Sequence, residues 1–154
     1  MDDKLAVSKD IFNRFCEYLK ANDCRFNRDD EKLVAFFLVK SDNIDVKFLA
    51  VTEAEKETLR IMAMLPVNFG SGKRIDGAMV TTIASSGMAN GSFDYDINNG
   101  SVMFRMTQSF MDSKIDSAVF DYMIDCSMMT IAEYYGKFLA VSEGKMTVPE
   151  FLKA

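Results

Sequence analysis

The chain has 154 residues, 49% hydrophobic and 27% charged, with 23 acidic against 18 basic side chains and no histidine. That length and apolar content suffice for one globular domain burying roughly two thirds of its unfolded surface without disulfide or metal staples. The missing imidazole removes Ser-His-Asp and Cys-His nucleophiles and every histidine-bearing zinc site, while a net charge of -5 repels phosphate backbones and anionic lipids, so neither nucleic acid nor a membrane is an expected partner.

Ser8 reads as an N-cap, and Ile11, Phe12, Phe15, Cys16 and Leu19 follow at helical spacing as one amphipathic helix that Asn22 and Asp23 end. Residues 24–28 and 33–40 read as hairpin arms around the charged turn Asp29, Asp30, Glu31. The second arm is apolar on both sides, with Val34, Phe36 and Leu38 on one and Leu33, Ala35, Phe37 and Val39 on the other. A strand with one wet face alternates, so both faces of this one need a cover. One cover is the long C-terminal helix; the other is either the amino-terminal helix or a bound segment of another protein. After the turn Ser41, Asp42, Asn43, the residues Ile44, Val46, Phe48 and Ala50 alternate with Asp45, Lys47 and Leu49 as in a strand. A charged link leads to Leu59, Ile61, Ala63 and Leu65, a further strand closed by Pro66.

Past Gly70, Ser71 and Gly72 the period lengthens, and Ile75, Met79, Val80 and Ile83 predict a helix over 73–87, kept slim by Ala78 and Ala84. Asn99 and Gly100 predict a two-residue type I′ turn, pairing Ile97 with Val102, Tyr95 with Phe104 and Phe93 with Met106 on one face, and Asp94 with Arg105 on the other. Ser113 with Asp116 resembles a capping box, opening a helix that Val119, Phe120, Met123, Ile124, Ile131, Tyr135 and Phe138 sustain to about residue 142. Thr147 with Glu150 around Pro149 starts a short terminal turn or helix.

Few constellations carry chemistry. The run 69–74, FGSGKR, lies where a phosphate loop would, between strand and helix, but Val67 stands where a P-loop needs glycine and Arg74 where it needs a hydroxyl. Lys73 and Arg74 remain as a weak anion site. The carboxylates at 29–31, at Glu53, Glu55 and Glu57, and at Asp94 and Asp96 fall in or beside exposed turns without the convergence of a metal or acid-base site. Cys16, Cys24 and Cys126 are odd in number and lack CxxC spacing; three buried free thiols fit a reducing cytoplasm. Residues 1–10 hold no apolar signal core, and the longest apolar run, 33–39, is too short to span a bilayer, so a soluble cytoplasmic protein is expected. Twelve methionines, among them Met103, Met106, Met111, Met128 and Met129, suit core filling or an adaptable binding surface.

From 44 to 144 the order of segments carries a family pattern: the strand ending LRIMAMLP, the helix start KRID, the strand pair GSFDYDINNGSVMFRM and the helix ending EYYGKFLAVSEG. This resembles the YbjN-like family of small bacterial proteins, described as sensory transduction regulators, whose fold is that of type III secretion chaperones. The resemblance implies an α+β fold with a single antiparallel sheet of about five strands flanked by helices, in the order α-β-β-β-α-β-β-α. It also implies a homodimer and no active site. The expected function is a non-enzymatic protein-interaction module, chaperone-like or regulatory, without cofactor or metal. Its partner would meet Leu33, Ala35, Phe37, Val39 and Phe48, and a second copy would pack on Ile75, Ala78, Met79 and Ile83. The alternative is a small-ligand or anion-binding domain using the loop from Gly70 to Arg74.

Overall fold

In the computed structural model, which describes residues 2–154, helix α1 (Asp2–Ala21) leads into four strands, β1 (Phe26–Asp29), β2 (Val34–Val39), β3 (Val46–Glu53) and β4 (Thr58–Asn68). A 3-10 turn at Ser71–Lys73 opens α2 (Arg74–Ser85), and β5 (Ser92–Asp96), β6 (Ser101–Ser109), α3 (Ser117–Ser142) and α4 (Val148–Lys153) follow. All strands join one antiparallel sheet ordered β1-β2-β3-β4-β6-β5. The fold is α+β as expected, with six strands where about five were expected. The order implied by the resemblance places three strands before α2 and the chain has four, because the hairpin arm read at 24–28 forms β1, short but paired along its whole length with β2.

One face of the sheet carries the core. A row of side chains crosses it from Phe37 through Phe48, Ala63 and Phe104 to Phe93, all buried beneath the helices. Alternation drives this: Val46, Phe48, Ala50 and Thr52 turn inward, while Lys47, Leu49, Val51 and Glu53 turn outward. Helix α1 lays Ile11, Phe12, Phe15 and Leu19 against this layer, and α3 adds Phe120, Met123, Ile131 and Phe138. Edge-on aromatic contacts lock the layers, with ring centroids 5.5 Å apart for Phe15 and Phe37, 5.2 Å for Phe15 and Phe120, and 4.9 Å for Phe93 and Phe138. Each fully buried Phe contributes roughly 1.5–3 kcal/mol relative to exposure.

Several local expectations are corrected. Helix α1 begins at Asp2, so Ser8 lies within it, fully buried, instead of capping it. Strand β4 runs through Pro66 to Asn68; its pairing with β6 shifts between Met64 and Asn68, which accommodates a residue with no N–H to donate. The β5–β6 hairpin has a four-residue loop, 97–100, and pairs Asp96 with Ser101, Tyr95 with Val102 and Phe93 with Phe104. Local bonds favour that loop: the Gly100 N–H donates to the Asp96 carbonyl, the Asp96 carboxylate accepts from the Asn98 N–H, and the Asn99 side chain accepts from the Ser101 N–H. The slip is by two residues, so every side chain keeps its expected face except Ile97, which leaves the sheet for the turn. Helix α3 is capped by Asp116, whose carboxylate accepts from the Ser117 N–H. The box at Thr147 and Glu150 is present as read and opens α4.

Candidate interaction surfaces

The helices cover one face of the sheet and leave the other open. Three rows of side chains cross the open face. Val34, Val51, Arg60 and Thr107 form the first, and Phe36, Leu49, Met62 and Arg105 the second. The third runs Leu38, Lys47, Met64, Met103, Asp94, and the bond from the Leu38 N–H to the Arg25 carbonyl sets Arg25 beside Leu38 at its end. The centre of the face is thus an apolar band, with Phe36 at 51% exposure as its most open ring. Near β1 it dips into a cleft of about 230 Å³, bordered by Phe36, Leu38, Met64, Arg25 and Lys47. Ion pairs organise the surrounding charges: Arg60 reaches Glu53 at 2.8 Å, and Arg105 holds Asp94 by two bonds of 2.7 and 3.1 Å. The hydrogen bond from Lys56, aided by Arg60, holds the Glu53 carboxyl below its ordinary value. The bond to Asp94 raises the Arg105 guanidinium above its own.

This arrangement corrects the expected partner surface. Leu33, Ala35, Phe37 and Phe48 are buried core residues, and Val39 is half-buried against the same core, because α1 covers that face together with α3. The outward set is Val34, Phe36 and Leu38. Two further members of the band, Met62 and Met64, were missed in the sequence, although their alternation with inward Ile61 and Ala63 was a usable signal.

A second apolar surface lies on α2. Ile75 is 70% exposed and Met79 48%, and with Ala78, Thr82, Ile83 and the displaced Ile97 they border a groove of about 550 Å³. Of the small residues expected there, Ala78 lines the groove, but Ala84 is buried. The groove has a rigid wall because Arg74 ties it together: its guanidinium donates to the carbonyls of Phe69, Ile97 and Asn98, while the Tyr95 hydroxyl donates to the Arg74 carbonyl at 2.7 Å. Arg74 is therefore a brace between α2 and the hairpin turn, not a free anion donor, and the Lys73 ammonium lies 3.4 Å from Asp76. The three cysteines are free, Cys16 buried and Cys24 and Cys126 half-buried, which corrects the expectation that all three are buried. Among the described residues no group of three or more Cys, Asp or Glu side chains converges as a metal site, and no helix is long and apolar enough to cross a membrane.

No protein-family model matches the sequence, and no curated protein matches it. The fold is shared with a solved chain of the ExsC-ExsE complex, at 15% identity and a TM-score of 0.64, covering 86% of this chain and 96% of that one. A chain of the HopA1-SchA chaperone-effector complex aligns at 12% identity and a TM-score of 0.47, over 82% of this chain and 91% of the other. The α+β fold implied by the resemblance, that of the type III secretion chaperones, is the fold found.

Proposed function

We propose that the protein is a non-enzymatic, chaperone-like interaction module of the YbjN-like kind, working in the bacterial cytoplasm, and that its open sheet face holds a segment of another protein. One observation carries this: a six-stranded sheet with one face fully packed presents on the other a band of Phe36, Leu38, Leu49, Met62, Met64 and Met103, where a solvated antiparallel face is ordinarily polar. Met side chains suit a surface that adapts to its ligand. The similarity in fold to a chain solved within a two-protein complex supports the reading. The α2 groove lined by Ile75, Ala78, Met79 and Ile83 serves a second copy, giving a homodimer with its two sheet faces free.

Capture from the source cell, quantified by mass spectrometry, tests the proposal. Phe36→Glu keeps a melting temperature near the wild type and loses the captured partner, whereas Phe37→Glu unfolds the domain by burying an unpaired carboxylate. Undiminished capture by folded Phe36→Glu would remove the sheet face from the account.

A further inference from the structure

The open face carries a charge pattern at odds with the molecule as a whole. The chain is acidic, with a net charge of -5, yet the two charged side chains flanking Leu38 in the third row are both cations, Arg25 on the β1 side and Lys47 on the β3 side. Both are exposed and border the cleft that Phe36 and Met64 complete, and among the described residues neither has an ion-pair partner. Glu53 and Asp94, the carboxylates of this face on β3 and in the middle of β5, are each bound to a guanidinium, by Arg60 and Arg105, while Asp96 at the end of β5 accepts from the Asn98 N–H. An isologous second copy laid face to face would bring two further unpaired cations to the interface, and its strand carboxylates without a cation, Asp29 and Asp96, lie on the two edge strands, where each already accepts from backbone N–H groups of its own turn.

We infer that the occupant of this face is an acidic apolar segment of another protein, with Asp or Glu side chains placed to meet Arg25 and Lys47 on either side of an apolar residue seated over Leu38 and against Phe36 and Met64. This rests on the reading of the sheet face as a protein-binding surface and adds the chemistry of what it binds. The apolar contacts supply most of the affinity, and the cations set register and choice of partner.

A random-peptide library displayed on phage tests it, panned on the wild type after depletion on Phe36→Ser, a neutral variant that imposes no charge bias. Peptides enriched in a Phe36-dependent way carry apolar residues flanked by Asp or Glu and are net negative. A synthetic copy of the winning peptide binds about fivefold or more weakly to the folded Arg25→Glu, Lys47→Glu double variant, as two exposed pairs of up to about 1 kcal/mol each allow. The Arg25→Ala, Lys47→Ala pair gives the same direction with less perturbation of the fold. Its affinity for the wild type also falls as salt rises. Phe36-dependent peptides that are neutral or basic, or an affinity unchanged in both double variants, overturn the inference while the protein-binding reading stands. A library that yields no Phe36-dependent peptide overturns both.

Discussion

Phe36 and Phe37 are neighbours in β2 with opposite surroundings: Phe37 is 4% exposed and stacked on Phe48 at 5.0 Å, while Phe36 stands half in solvent on the open face. Truncating Phe37 to Ala removes a packed ring and costs about 3–5 kcal/mol; the same change at Phe36 costs about 1 kcal/mol or less, and urea unfolding of the two variants separates them. That both sides of this strand are apolar is legible in the sequence. Which side faces inward is not, since a period of two reads the same from either face. The deciding information sits in the neighbour, where outward Lys47 pairs with Leu38 and inward Phe48 with Phe37. Tyr18 offers a second test. Burial, and then its hydrogen bond to the Asp121 carboxylate on α3, raise its hydroxyl above the ordinary 10.0. The folded state thus holds that proton more tightly than the unfolded chain, so the contribution is complete below about pH 10 and is lost as pH rises beyond it. Tyr18→Phe removes that part of the alkaline loss of stability, which unfolding curves taken across the range report; an alkaline limb identical to that of the wild type contradicts it.

The β5–β6 hairpin and α2 show what an element owes to its neighbours. The Asn99-Gly100 signal locates the turn correctly but not its length, because a two-residue loop competes with side-chain bonds from Asp96 and Asn99 that stabilise a longer one. Arg74 then holds the longer loop from outside, which no local pattern in the hairpin reveals. Gly100 is required twice: its φ is 76°, and a Cβ there would collide with the Phe69 carbonyl oxygen. Gly100→Ala therefore lowers the melting temperature. Arg74→Ala removes bonds from a charged donor to the part-buried Phe69 carbonyl and the exposed carbonyls of Ile97 and Asn98 and costs about 1–2 kcal/mol. It also lets Ile97 move off the groove, so any self-association through α2 weakens with it. Equal stability of Arg74→Ala and wild type in urea contradicts the brace. The exposed stripe of α2 was itself legible: Ile75, Met79 and Ile83 recur at four-residue steps on a helix whose other side buries Val80 and Ala84.

At the scale of the whole molecule, the order of elements and the antiparallel sheet could be read from alternation, turns and caps, whereas the assignment of one sheet face to the helices required the packing itself. Helix α1 settles it: Arg28 lies over the Phe12 ring at 5.0 Å and Arg14 bonds Asp116 at 2.9 Å, so the helix is fixed to the inner face at its β1 and α3 sides. The open sheet face and the α2 groove present different residues, so each has a distinct expected failure. Met79→Glu turns a homodimer into a monomer by light scattering and leaves partner capture measurable; a wild type that is monomeric at tens of micromolar, an order-of-magnitude choice for a weak standard interface, contradicts the dimer alone. The open sheet face is the central claim, and photo-crosslinking inside the source cell reaches it most directly, with a photoreactive amino acid placed in turn at Phe36, at Met62 and at the exposed Glu143 on the helix side. Discrete adducts to another protein from positions 36 and 62 and none from 143 are the predicted result. Adducts from 143 with none from the two sheet positions would contradict it.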